Sequence, residues 1–189
     1  MEIKNTYSYW SENIVEECRM VLNAVDEDVD EEYIQLVLSS RQLFFIGVGR
    51  VLLSLKSIAK RYNHLGISCS IVGDVTEPAI TMQDLLIVGS GSGNTLIPVA
   101  ISKKAKQIGA KVVQIGCNPD GDVGKIADLF VRLPAQSKKT LPEEIKSIQP
   151  MTSLFEQSLL LFGDITAAMI IERKNIDIQT LWKFHANLE

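Results

Sequence analysis

Cysteine is scarce in this 189-residue chain, and the three present, Cys18, Cys69 and Cys117, are odd in number and far apart. That spacing excludes a disulfide framework and a thiolate metal site. Positive charge is also lacking. The 19 Lys and Arg are outnumbered by 23 Asp and Glu, giving a net charge of −4, and basic residues cluster only in pairs such as Lys103-Lys104 and Lys138-Lys139. Nothing here favours nucleic acid as a partner. No apolar stretch is expected to reach the about 20 residues that span a bilayer, and the start, Met1 to Tyr7, has no charged-then-apolar leader pattern. The acidic run Asp26 to Glu32 lacks EF-hand spacing and reads as a solvated turn, with Asp30 or its neighbour capping a helix through Leu38. The expectation is a protein of the reducing cytoplasm with no thiolate metal site and no membrane or nucleic-acid partner. A hydrophobic content of 46% and the chain length fit one domain with a sizeable core.

What is present is a run that organises the rest, Asp84-Leu-Leu-Ile-Val-Gly-Ser-Gly-Ser-Gly-Asn-Thr95. Leu85 to Val88 are continuously apolar, as in a central parallel strand covered on both faces. Gly89, Gly91 and Gly93 let backbone N–H groups approach an anion, while Ser90, Ser92 and Thr95 add hydroxyls. A helix expected from Leu96 to Ile108 would aim its N-terminal dipole at the same point. The loop has no P-loop lysine and no G-x-G-x-x-G spacing, so a single phosphate on a small molecule suits it better than a nucleotide. A flexible Gly/Ser turn is the alternative reading.

Hydrophobic periodicity predicts a helix over Tyr7 to Ala24, then five strand segments separated by helical ones. The strands begin near Gln42, Ser68, Leu85, Lys111 and Leu129. This pattern is that of a doubly wound parallel sheet in a three-layer αβα sandwich. A second glycine loop, Gly47-Val-Gly-Arg50, precedes a helix from Val51 to Tyr62, so Gly49, Arg50 and Val51 also lie where open α/β sheets bind ligands. Gly66 reads as the stop of that helix, with His64 just before it. A short helix is expected at Gly124 to Ala127, and the polar stretch Pro134 to Gln149 reads as a surface linker. A long helix then runs from Met151 to Arg173, and a last short one lies within Asp177 to Glu189, carrying His185. Ser153-Leu-Phe-Glu156 fits a capping box, which would give Glu156 a structural task.

These residues resemble the sugar isomerase (SIS) domain family, through Gly-Ser-Gly-Ser-Gly-Asn-Thr95 and Gly-Val-Gly-Arg50. Lys60-Arg-Tyr-Asn-His-Leu-Gly66, Ile148-Gln-Pro-Met-Thr-Ser-Leu-Phe-Glu-Gln157 and His185-Ala-Asn-Leu-Glu189 are similar to the 6-phospho-3-hexuloisomerases within it, over nearly the whole chain. The resemblance implies a single SIS domain over residues 1–189 with helical extensions at both ends and a flavodoxin-like sheet. It also implies a phosphosugar ligand, no cofactor, and a homotetramer assembled from dimers, with sites near subunit boundaries. The implied reaction converts a 3-ketohexose 6-phosphate to fructose 6-phosphate through an enediol. Glu156 would be the base and His64 a second acid/base group, with His185 a weaker candidate. The implied substrate-binding residues are Gly49, Arg50, Val51, Ser90, Gly91, Ser92, Gly93, Asn94 and Thr95. Two departures stand out: Val51 replaces the usual Ser and Asn94 the usual Glu. They leave open a different sugar phosphate or a non-catalytic phosphosugar sensor.

Overall fold

The computed structural model describes residues 6–138 and 141–188. Met1 to Asn5, Lys139, Thr140 and Glu189, which belong to stretches considered above, lie outside the described residues. Five strands are present: β1 (Leu43–Ile46), β2 (Cys69–Ile71), β3 (Leu85–Gly89), β4 (Lys111–Gly116) and β5 (Leu129–Arg132). They form one fully parallel sheet in the order β2-β1-β3-β4-β5. This is the flavodoxin-like order, whose reversal between β1 and β3 opens a crevice at the carboxyl ends of those strands. The helices are α1 (Tyr7–Asn23), α2 (Glu27–Ser39), α3 (Arg50–His64), α4 (Leu96–Ile108) and α5 (Ser153–Arg173).

Successive strand side chains point to opposite faces, and the two faces here are covered unequally. Leu43, Phe45, Leu85, Ile87, Val113 and Ile115 enter the larger core beneath α3 and α5, to which α1 and α2 also contribute. Phe44, Ile46, Leu86, Val88 and Val112 enter a smaller one, covered by Val99 and Ala105 of α4 and by Val123. The three layers are therefore thick on one side and thin on the other.

Helices α3 and α5 run parallel, their contacts advancing in step. The Ser54 hydroxyl donates to the Glu156 carbonyl at 2.8 Å, and the Tyr62 and Thr166 hydroxyls meet at 2.6 Å. Thr166 spends its proton on the Gly163 carbonyl, so it accepts from Tyr62, which in turn accepts from Tyr33 of α2 at 3.2 Å. One polar chain thus joins three helices inside the core. At Gly163 the helices touch: a Cβ there would lie 2.2 Å from Ile58 Cγ1. By length and composition α5 could cross a membrane, contrary to expectation, yet Leu154, Phe155, Leu159 and Phe162 are buried in the core.

Other expectations are corrected. The α2 cap is Asp26, whose carboxylate accepts from the Asp28 and Val29 N–H groups, while Asp30 sits buried inside the helix. Residues 124–126 form turns, not a helix, closed by the Lys125, Ile126 and Ala127 N–H groups, and Ala127 is irregular. The final helix is a 3₁₀ segment, Ile178–Phe184. The stretch from Pro134 is no loose linker: Ala135 pairs with Ile145 and is fully buried. Its end is pinned to α1 by the buried Glu17, which accepts from the Ser147 hydroxyl, the Ile148 N–H and the Gln149 amide at 2.7, 2.7 and 3.0 Å.

Candidate active site

Three helices begin at the carboxyl edge of the sheet, and they share a property that the other elements lack. Neither Gly49 before α3, Thr95 before α4 nor Thr152 before α5 gives its helix a side-chain cap. Thr6, Asp26 and Asp177 do cap α1, α2 and the 3₁₀ segment. A missing cap forgoes about 1 kcal/mol, and it leaves N–H groups and positive dipole ends turned toward one place. Such a place suits an anion.

The β3–α4 loop is shaped from behind. Its four successive carbonyls, Ser90 to Gly93, all accept from β4 or from the loop that follows it. The donors are the Gln114 amide to Ser90 at 2.9 Å, the Cys117 and Asn118 N–H groups to Gly91 at 3.0 and 3.1 Å, the Asn118 amide to Ser92 at 3.1 Å, and the Val123 N–H to Gly93 at 3.0 Å. With the carbonyls taken, the N–H groups of Thr95, Leu96 and Ile97 have no acceptor among the described residues. Ser90 is buried and its hydroxyl accepts from the Gly93 N–H at 3.1 Å, so it holds the turn. Gly93 takes a φ of 70° against Gly121 and Gln114, a position closed to a side chain by both conformation and space.

Glu156 is 8% exposed and lies where the first turns of α3 and α5 face each other. Arg50 Nε donates to its Oε2, and the Thr152 hydroxyl donates to its Oε1 at 2.8 Å. The capping box does not form. Helix α5 begins at Ser153 with Thr152 as the flanking residue, which moves Glu156 to the fourth helical position, and the Ser153 hydroxyl donates instead to the Pro150 carbonyl. The carboxylate is free of a capping task and points at the cation of α3. A buried carboxylate beside an exposed guanidinium and three helix N-termini can exchange protons with a small anionic ligand.

The structure brings Gly49, Arg50 and Glu156 together and places Ser90 to Thr95 on the neighbouring loop of the same sheet edge. Val51 fills the crevice floor, its Cγ1 2.8 Å from where a Gly89 Cβ would be. Asn94 accepts the Asp122 N–H at 2.9 Å, fastening the loop to the β4–β5 connection. His64 is not part of this group. It ends α3, about 21 Å along the helix from Arg50, where its ring stacks on that of His185 at 5.2 Å. Burial, then Lys60, Arg61 and His185, hold the His64 pKa below the ordinary histidine value. Thr152, Gln114 and Asn118 carry no local sequence signal that marks them as site residues. Among the described residues no group of three or more His, Cys, Asp or Glu could hold a metal ion, and the three cysteines are free thiols.

A parallel sheet with a glycine-serine loop after β3 and a carboxylate on a helix over the crevice defines an α/β protein whose carboxyl sheet edge suits a small anion. Residues 36–161 match the SIS domain, and the chain belongs to that family. Within it, the chain is 43% identical to the 3-hexulose-6-phosphate isomerase of Bacillus subtilis (strain 168), over 81% of this chain and 83% of that protein. It is 33% identical to the 3-hexulose-6-phosphate isomerase of Methylomonas aminofaciens, over 95% of this chain and 98% of that one. A crystal structure of a protein from Methanococcus jannaschii, for which a 3-hexulose-6-phosphate isomerase function was inferred, superposes with a TM-score of 0.82 at 31% identity. That match covers 95% of this chain and 99% of the other.

Proposed function

We propose that this protein is a sugar-phosphate isomerase that converts D-arabino-hex-3-ulose 6-phosphate to fructose 6-phosphate, the step that follows formaldehyde fixation onto ribulose 5-phosphate. The observation that carries the reading is the buried Glu156 carboxylate, freed from helix capping and held toward Arg50 beside an uncapped anion loop. The phosphate is received by the N–H groups at the start of α4 with the Ser92 and Thr95 hydroxyls. Glu156 removes the C2 proton beside the C3 carbonyl, an enediol forms, and the same carboxyl returns the proton to C3. The C2 oxygen loses its hydroxyl proton and becomes the carbonyl, while the C3 oxygen gains one. Arg50 stabilises negative charge on the base before the transfer and on the enediol oxygens during it.

The chain is read as one SIS domain with α1 and the 3₁₀ segment as helical extensions, acting in the cytoplasm as a homo-oligomer, by family resemblance a tetramer. Self-association is supported by a groove of ≈ 720 Å³ between α1 and α5, lined by Ile14, Val15, Leu160, Leu161 and Ile165. His64 then serves a neighbouring copy's site, a role that rests on the family resemblance. The test is turnover of hex-3-ulose 6-phosphate in an assay coupled to fructose 6-phosphate, with Glu156→Gln alongside. The expected result is robust turnover that falls by at least about 10³-fold in the variant. A folded wild-type protein that binds fructose 6-phosphate but turns nothing over refutes it.

A further inference from the structure

We propose that Thr152 is a positioning residue for the base, and that the segment Ser147 to Thr152 exists to place its hydroxyl. The inference rests on the reading of Glu156 as that base. A threonine flanking a helix start ordinarily accepts a backbone N–H of the first turn. Thr152 does not: its side chain makes no cap and its hydroxyl donates to Glu156 Oε1 at 2.8 Å. With Arg50 on Oε2, both carboxylate oxygens are held from different elements, one from α3 and one from the start of α5.

The backbone around Thr152 is built for that aim. Met151 before it adopts a φ of 59°, left-handed for a residue with a side chain and unfavourable without compensation. The compensation lies three residues upstream, where Glu17 of α1 grips Ser147, Ile148 and Gln149 together. Glu156 returns the favour locally, its N–H donating to the Thr152 carbonyl at 3.1 Å. A carboxylate that must lose contact with a cation, take a carbon-bound proton and give it back gains from one fixed oxygen. Thr152 fixes Oε1 so that Oε2 is the oxygen that moves between Arg50 and the substrate.

The experiment compares Thr152→Val and Thr152→Ser with wild type and Glu156→Gln, using hex-3-ulose 6-phosphate turnover and calorimetric binding of fructose 6-phosphate. Thr152→Val is expected to lower kcat about tenfold with KM and fructose 6-phosphate affinity unchanged, and to raise the primary isotope effect from deuterium at C2. Thr152→Ser, which keeps the hydroxyl, is expected to restore kcat to within about twofold. The proposal is overturned if Thr152→Val turns over at the wild-type rate while Glu156→Gln is inactive, or if the serine variant is as slow as the valine one. Loss of fructose 6-phosphate affinity in step with kcat would also overturn it, by showing a structural role. Turnover retained in Glu156→Gln would instead remove the base itself, and the Thr152 assignment with it.

Discussion

Gly163→Ala tests the claim that the α3–α5 contact is set by the absence of one side chain. The new Cβ would lie 2.2, 2.6 and 3.0 Å from Ile58 Cγ1, Cδ1 and Cγ2, against the about 3.5–4.0 Å of an ordinary carbon contact. Ile58 is 1% exposed, packed inside the core. Overpacking of this kind costs about 1–3 kcal/mol, and contacts this short argue for the upper end. Alanine returns about 1 kcal/mol through its better helix propensity, so the net loss is about 2 kcal/mol. For a chain of this size that is a fall in Tm of about 4–8 °C, read by urea and thermal unfolding at one fixed protein concentration. Removing the obstacle reverses the sign: in an Ile58→Ala background, itself costly, Gly163→Ala becomes neutral or stabilising by about 1 kcal/mol. The two changes are then coupled by about 3 kcal/mol. A variant as stable as wild type, or two substitutions whose effects simply add, would refute the packing argument.

Two more outcomes are expected. Burial works to raise the pKa of Asp84, but Arg41, held by both carboxylate oxygens, and the Thr81 hydroxyl and N–H outweigh it and keep it below the usual aspartate value. Its contribution is full above the unfolded value near about 4 and is lost as pH falls through the lower folded one, so Asp84→Asn should flatten the decline of Tm between about pH 5 and 2; an unchanged slope would count against it. Glu17→Ala removes three hydrogen bonds to a buried carboxylate and should cost at least about 2 kcal/mol, with kcat falling more than affinity for fructose 6-phosphate because the lost anchor holds the segment that carries Thr152. Equal kcat in a destabilised variant would separate stability from positioning.

The sheet was legible because its strands are buried on both faces: Leu43 to Ile46 and Leu85 to Val88 are apolar without alternation, which few other environments tolerate. The anion loop was legible because Gly93, with its φ of 70° and close neighbours, strongly favours glycine. Glu156 was ambiguous in sequence because Ser153 and Thr152 are both competent to flank a helix, and one position decides whether the glutamate caps or is left free for the proposed proton transfer. The turns after Gly121 were misread as helix because Gly124 packs against the Pro119 carbonyl, a contact within the same loop that hydrophobic periodicity does not register. The Glu17 anchor was illegible for a plainer reason: it joins residues more than a hundred positions apart.

The hydrogen bonds behind the β3–α4 loop have a consequence for how substrate choice can change. Because four consecutive peptide oxygens are committed to the neighbouring strand and its turn, no peptide in that stretch can rotate to offer an acceptor where a donor now stands. The loop behaves as a mould cast by Gln114, Asn118 and Val123, residues set behind the surface proposed to receive the ligand. Exchanging the hydroxyl side chains on that surface alters single contacts, whereas exchanging Gln114 or Asn118 recasts the whole outline. Variants with a new ligand preference should accordingly arise one strand away from the ligand itself.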